Sequence, residues 1–260
     1  MIGAGDRLVL RLAVIAAGTL TCSAATAGAW PMAPGETQTI LKFEDQRASS
    51  GYGLGGVGVP IPDRREDGLS LFFEHGLTDR FTLQGKVGLV DGVDGPIRYR
   101  GRGPLELGVR TLLWRRRGAV ASLYVGGVVS GAGLNAVWAG PGAGRGDVEV
   151  RFLAGNAGKF FGRHAYSELQ VVRLQRRKLD NELRVETTSA VDVAPRWRVM
   201  VQSYAGRAYH DGPDARWFKG EASLMRDMGA WSLQAGWRQS LAGREASKDH
   251  GPVVALWTRF

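Results

Sequence analysis

Apolar and polar side chains alternate at every second residue in stretch after stretch of this chain, and few folds tolerate that pattern. Arg80 to Val90 shows it clearly, with Phe81, Leu83, Val87 and Leu89 set against Thr82, Gln84 and Lys86. The same reading predicts strands over Thr37–Phe43, Asp67–His75, Arg80–Val90, Pro104–Trp114, Ala119–Val129 and Asp147–Gly155. It predicts six more over His164–Leu174, Asn181–Val193, Trp197–Tyr209, Arg216–Arg226, Trp231–Leu241 and Gly251–Phe260. Strands of soluble domains average ~5–6 residues. Most of these are about nine to thirteen long, the length that a tilted strand needs to cross a bilayer.

Physical chemistry then narrows the architecture. Inside lipid every backbone N–H and C=O must be paired within the protein, which leaves helices and closed barrels. No stretch reaches the ~18 continuous apolar residues of a membrane helix. The fold class expected is therefore all-β, a closed antiparallel up-and-down transmembrane barrel of about 12 strands. A count of ten follows if one assigned pair is loop. Mean hydropathy is −0.15, as suits strands with one wet face. Long connections follow strands 1, 3 and 5, and short turns follow 2, 4, 8 and 10. Barrels of this kind keep short turns in the periplasm, which puts both termini there. The six residues Gln175–Asp180 are short for an outer loop. Trp30, Trp114, Trp197, Trp217, Trp231, Trp257, Tyr209 and Phe260 fall near strand ends, where aromatic girdles are expected.

The first residues read as a secretory leader: basic Arg7 and Arg11, a short apolar run Leu12–Leu20, then the small-residue boxes Ala25-Thr26-Ala27 and Ala27-Gly28-Ala29. The expected domains are a signal peptide over 1–27, with cleavage after 27 or 29, and a barrel over 28–260. The only cysteine, Cys22, lies in the leader, so a mature chain has no disulfide and no thiolate site. Pro31 and Pro34 with Gly35 make the next residues a loop or periplasmic lead-in. The formal net charge is +9. For an exported protein that favours lipopolysaccharide, anionic polysaccharide or anionic solutes over nucleic acid.

The end of the chain carries a resemblance. Val254, Leu256, Thr258 and Phe260 share one face of the last strand, and the chain stops on an aromatic. This resembles the C-terminal signature of Gram-negative outer-membrane β-barrel proteins. The resemblance implies Sec-type export, residence in the outer membrane with its lipid and lipopolysaccharide, and insertion by the barrel-assembly machinery, with Phe260 as the assembly signal. Thr258 departs from it, standing where an apolar residue is usual. If twelve strands close, Gly251–Phe260 must pair with Thr37–Phe43. Separately, Gly28-Ala29-Trp30-Pro31 is similar to the opening of the XagA-like outer-membrane proteins, which implies a link to exopolysaccharide or biofilm.

The inward faces carry the candidate lumen residues Glu74, Lys86, Glu106, Arg110, Glu149, Arg151, Glu168, Arg184, Glu186 and Arg238. They fit a channel lining, and equally a self-neutralising filling, because a twelve-stranded barrel lies between filled and wide ones. Candidate anion or lipopolysaccharide contacts are Arg98, Arg100, Arg102, Arg176, Arg177 and Lys178, since guanidinium groups bind phosphate bidentately. Arg115-Arg116-Arg117 falls in a periplasmic turn. Catalytic signals are sparse. None of His75, His164, His210 and His250 has a Ser two residues on, as the outer-membrane phospholipases do, and no G-x-S-x-G elbow occurs. His210-Asp211 with Asp214 imitates the His and Asp groups of an outer-membrane protease. No histidine pair has metal-ligand spacing, and the glycines Gly51, Gly53, Gly55 and Gly56 precede no helix pattern. The expectation is a non-enzymatic barrel without cofactor or metal, either a small channel or an export- or envelope-associated barrel. The alternatives are a hydrolase of lipid or peptide and a structural barrel with a filled lumen.

Overall fold

The computed structural model describes residues 28–132, 146–177, 179–209 and 214–260. The expected leader, Lys178, and the pair His210–Asp211 lie outside the described residues. The strands are β1 (Thr37–Tyr52), β2 (Gly58–Gly76), β3 (Phe81–Asp94), β4 (Ile97–Arg102), β5 (Leu105–Arg116), β6 (Ala119–Val129) and β7 (Gly146–Phe160). They continue as β8 (Arg163–Gln175), β9 (Asn181–Ala194), β10 (Trp197–Tyr209), β11 (Ala215–Asp227), β12 (Trp231–Arg244), β13 (Ala246–Ser247) and β14 (His250–Arg259). β4 folds back on β3, and β13 pairs only with the tip of β1. The other twelve are the staves of an antiparallel barrel, each paired with its neighbours in chain order.

The barrel closes where the alternation requires it. β14 pairs with β1 from Gln38↔Arg259 to Glu44↔Val253, and β1 pairs on its other side with β2. Thr37 N donates to the Phe260 carbonyl at 2.7 Å and Phe260 N donates to the Thr37 carbonyl at 3.0 Å. The end that holds the start of β1 and Phe260 is joined by tight turns. Arg117–Gly118 and Phe161–Gly162 have positive φ at both residues, 47° and 86° in the first and 47° and 77° in the second. That is the conformation whose twist matches two-residue hairpins. The opposite end carries the longer connections.

Two expected loops are sheet. β1 and β2 run on as a hairpin through Tyr52↔Gly58, although Gly51, Gly53, Pro60 and Pro62 signal loop. Cross-strand pairing outweighs those local signals: the ladder runs on through Asp45↔Asp67 and Arg47↔Arg65, and across it Arg65 Nε lies 3.8 Å from Asp45 Oδ1. The expected loop 91–103 contains β4, turned at Gly95 with φ 56°. The short connection expected between β8 and β9 is indeed short, residues 176–180.

The outward face is an apolar band. Leu71, Phe81, Leu107, Val125, Phe152, Val171, Leu233 and Val254 are all exposed on it, as a lipid-facing wall requires. The only buried apolar clusters among the described residues lie inside the barrel. Tyr166, Ala190, Met200, Met225, Ala255 and Trp257 form one of them near the turn end. The expected aromatic girdle is partly corrected. Trp114, Trp231, Tyr209 and Phe260 are exposed, but Trp30, Trp217 and Trp257 are inside. Glycines on the wall make the room. A Cβ at Gly206 would lie 2.1 Å from the Trp217 ring, and one at Gly155 would lie 2.5 Å from the Trp30 ring.

Candidate functional site: a charged lumen with an inserted N-terminal segment

Residues 28–34 do not lead away from the barrel, as the prolines suggested; they occupy its interior at the turn end. Ala29 is fully buried, packed with Val120, Tyr124 and Leu153. The backbone of this segment is held by wall side chains. Arg110 donates to the carbonyls of Gly28 and Trp30, the latter at 2.6 Å. Ser122 Oγ donates to the Ala29 carbonyl at 2.7 Å, Ala29 N donates to Glu168 Oε2 at 2.7 Å, and Met32 N donates to Thr82 Oγ1 at 3.1 Å. Trp30 meets Tyr166 edge-on with 6.1 Å between ring centres. At the mouth a Cβ on Gly76 would fall 2.0 Å from the Ala33 carbonyl, so the close backbone approach there needs glycine.

Above this segment the wall carries two ion networks. On β5, β7 and β9, Arg151 bridges Glu106 and Glu149 while stacking on Tyr124 at 4.6 Å. Arg184 reaches Glu149 at 2.6 Å and Glu186 at 3.6 Å. The second network joins β1, β10, β11 and β12. Arg238 binds Glu221 at 2.6 Å and Glu44 at 2.5 Å, and lies 4.4 Å above the Tyr204 ring. Lys42 joins Glu44 at 3.1 Å. At the loop end, Asp249 links Lys219 at 2.7 Å and Arg64 at 3.3 Å. Burial pushes the Asp249 carboxyl up, but the Lys219 ammonium and Arg64 guanidinium outweigh it and hold the group below the usual aspartate value.

All ten sequence-predicted lumen residues face inward, but they divide in two. Glu74, Arg110, Glu149 and Glu168 are buried and are taken up by contacts within the wall and with the inserted segment. Glu106, Arg151, Arg184, Glu186 and Arg238 are partly open. Lys86 is exposed, with no carboxylate within 4 Å among the described residues. Sequence reasoning missed Lys42, Glu44, Arg198, Lys219 and Glu221. The signal was present at Lys42 and Glu44, which continue the inward period of Gln38 and Ile40. It also missed the inserted segment, whose only hint is small Gly28 and Ala29 beside a Trp. Of the anion candidates, Arg98 and Arg100 are exposed on β4, and Arg177 is exposed after β8. Arg102 is tied to the Gly103 and Ser130 carbonyls at 2.7 and 2.8 Å. Arg176 turns inward to Glu182 at 3.2 Å.

Cavities open at both ends. The larger, about 1010 Å³, lies at the turn end beside the inserted segment, lined among others by Gln38, His164, Tyr166, Arg198 and Trp257. The smaller, about 490 Å³, lies at the loop end, lined among others by Tyr52, Arg64, Glu182 and Lys219. His75 Nδ1 lies 2.8 Å from Thr37 Oγ1, and His250 rests against Trp237. No cluster of His, Cys, Asp and Glu among the described residues could hold a metal ion.

The barrel is similar to the COG4313 outer membrane channel from Pseudomonas putida F1, at 15% identity and TM-score 0.69, covering 90% of this chain and 99% of that one. It is similar to the NanC porin, at 7% identity and TM-score 0.50, covering 84% and 98%. The translocator domain of autotransporter NalP from Neisseria meningitidis aligns at 10% identity and TM-score 0.48, covering 88% and 90%. At these identities the likeness is one of fold, that of the outer-membrane β-barrels. No protein-family model matches the chain, and no curated protein matches it.

Proposed function

We propose that this protein is a non-enzymatic channel of the outer membrane, with the turn end and both termini in the periplasm and the long connections outside. The observation that carries this is a polar, charged interior that opens in a cavity at each end of a barrel whose outer wall is apolar. The fold it shares with an outer membrane channel and a porin supports the same reading. The inserted segment narrows the periplasmic half, so passage requires either the space beside it or its displacement.

The lining is nearly balanced in sign. Inward-facing cations such as Lys42, Arg184 and Arg238 are matched by Glu44, Glu149 and Glu221 within the same networks. The +9 of the chain therefore does not make the bore strongly basic. Selection then rests on width and on local charge, and Lys86 is a lining group left open to a solute. A second reading, a structural barrel with a filled lumen, is favoured by the same inserted segment. Planar-bilayer recording separates the two: stepwise conductance supports the channel, and a silent bilayer with correctly assembled protein supports the filled barrel. The pathway is also a proposal. The XagA-like opening residues favour exopolysaccharide or biofilm work, and unchanged matrix polysaccharide in a deletion strain would count against that. Contact of Arg98 and Arg100 with lipopolysaccharide, and recognition of the last strand by the barrel-assembly machinery, belong to the same proposal.

A further inference from the structure

The interior around the inserted segment contains a carboxylate that no side chain neutralises. Glu74 and Arg110 are both fully buried and form an ion pair at 2.6 Å. Glu168 is also buried, 6% exposed. It accepts hydrogen bonds from Ala29 N, at 2.7 Å, and from the Gln170 amide. No cationic side chain lies within 4 Å of it among the described residues. An uncompensated buried carboxylate is strongly unfavourable, so this place calls for either a bound proton or a counter-charge.

Gly28 stands where that charge would be. A Cβ built on it would lie 2.1 Å from both carboxylate oxygens of Glu168. Its φ is +106°, in the region that side chains other than glycine's avoid. Its nitrogen is bonded to the same Cα, which by bond geometry places it no more than about 4.6 Å from those oxygens. In a continuous chain this nitrogen is a neutral amide. At a new chain terminus it is an ammonium group, because an α-amine has a reference pKa of about 7.7–8.0.

Two leader cleavage sites fit the sequence, after Ala27 and after Ala29, and the fold distinguishes them. Cleavage after Ala29 would discard the Gly28 and Ala29 carbonyls held by Arg110 and Ser122, and the N–H held by Glu168. Cleavage after Ala27 keeps all three. We propose that an envelope peptidase removes the leader after Ala27 and that the resulting α-ammonium of Gly28 is the counter-ion of Glu168. Water is the co-reactant. It hydrolyses the Ala27–Gly28 amide bond, the carboxylate leaves with Ala27, and the freed amine takes up the released proton. With Glu168 ionised, the Glu74, Arg110 and Glu168 cluster carries two negative charges and one positive, and the ammonium makes it neutral. Processing thus completes the site that seats the segment.

The inference rests on the inserted segment and not on conductance. The experiment uses the full chain, exported and extracted from outer membranes, with its N-terminus determined by intact mass and terminal sequencing. A chain beginning at Gly28 with a free amine is expected; a chain beginning at Trp30, or one retaining the leader, overturns the proposal. The α-amine is then labelled with an amine-reactive ester at neutral pH, with exposed Lys159 as internal standard. Labelling in the folded barrel should be at least about 10-fold slower than in denatured protein, because it requires local opening. Equal rates overturn the proposal without any variant. In Glu168→Gln barrels that keep heat-modifiable mobility, the folded rate should rise at least about fivefold, since the pairing charge is gone. An unchanged rate rejects the ion pair. A protected amine in a protein that never conducts would sink the channel reading and leave this pair standing.

Discussion

Arg110→Met should release the inserted segment. Arg110 is fully buried, with Nη1 2.6 Å from Glu74 Oε1 and Nη2 2.6 Å from the Trp30 carbonyl. Methionine fills similar space without charge or donors. Two losses follow. Glu74, itself fully buried, loses its ion-pair partner, and orphaning one member of a buried pair costs about 3–5 kcal/mol. The segment also loses hydrogen bonds to a charged donor, worth about 1.5–3 kcal/mol each. The wall is locked by strand ladders on both sides of every stave and has no cheap response. The segment is held by only a few further bonds and can leave, admitting water to Glu74. Even about 3 kcal/mol changes the ratio of seated to released segment by roughly 100-fold, at 1.4 kcal/mol per factor of ten. Single-channel conductance should rise, and protease added from the turn end should clip the chain before Thr37. Glu74→Gln with Arg110→Met removes the orphaned charge and should recover part of the seating, with a coupling of about 0.5–3 kcal/mol in the double-mutant cycle. Wild-type conductance and protease resistance in assembled Arg110→Met barrels would refute the reasoning.

Three other outcomes are expected. Lys86→Glu replaces an exposed lumen cation by an anion, so reversal potentials in a salt gradient should move toward cation preference; no movement would show that Lys86 stands off the ion path. Deleting Phe260 removes the bonds of 2.7 and 3.0 Å that join it to Thr37, and should lower assembled outer-membrane protein more than exported protein; normal assembled levels would contradict this. Asp249 has a folded pKa below its unfolded value, so its contribution to holding residues 245–249 is complete above about pH 4 and fades only as pH falls through the lower folded value. Proteolysis at that loop should be flat down to about pH 5 in wild type and faster throughout that range in Asp249→Asn, the two converging only once Asp249 is protonated. Loosening of the wild type between about pH 5 and 6 would speak against the Lys219 and Arg64 links.

The staves were legible because lipid outside and water inside impose a period of two along most of each stave, with register shifts only at a few points such as Ala48/Ser50 and Leu112/Trp114. The expected β6 and β10 have the observed bounds, 119–129 and 197–209, and the β14–β1 seam follows from closure alone. Glycine and proline misled at β1 and β2, since local conformational preference is weaker than a full ladder of cross-strand bonds. The lumen charges on clean alternating strands were readable. Which of them are buried was not, because that depends on residues 28–34 returning into the barrel. Inward Trp217 and Trp257 were misplaced for a related reason. Position along a strand says nothing about whether the neighbouring stave offers a glycine, as Gly206 does opposite Trp217.

The seam between β1 and β14 joins residues more than two hundred positions apart, Gln38 with Arg259 among them. Loop-closure entropy makes such a pairing late, after the hairpins between neighbouring staves. Until it forms, the wall is an open, curled sheet, and residues 28–34, which lead directly into β1, can be laid against β3, β5, β6 and β8 from the side. Once the seam is shut, the same residues can enter only end-on through the turn-end mouth, past the narrow approach of Ala33 to Gly76. The closing strand is thus also the door through which the interior is furnished. A barrel that closes too early would be sound in its wall and empty within.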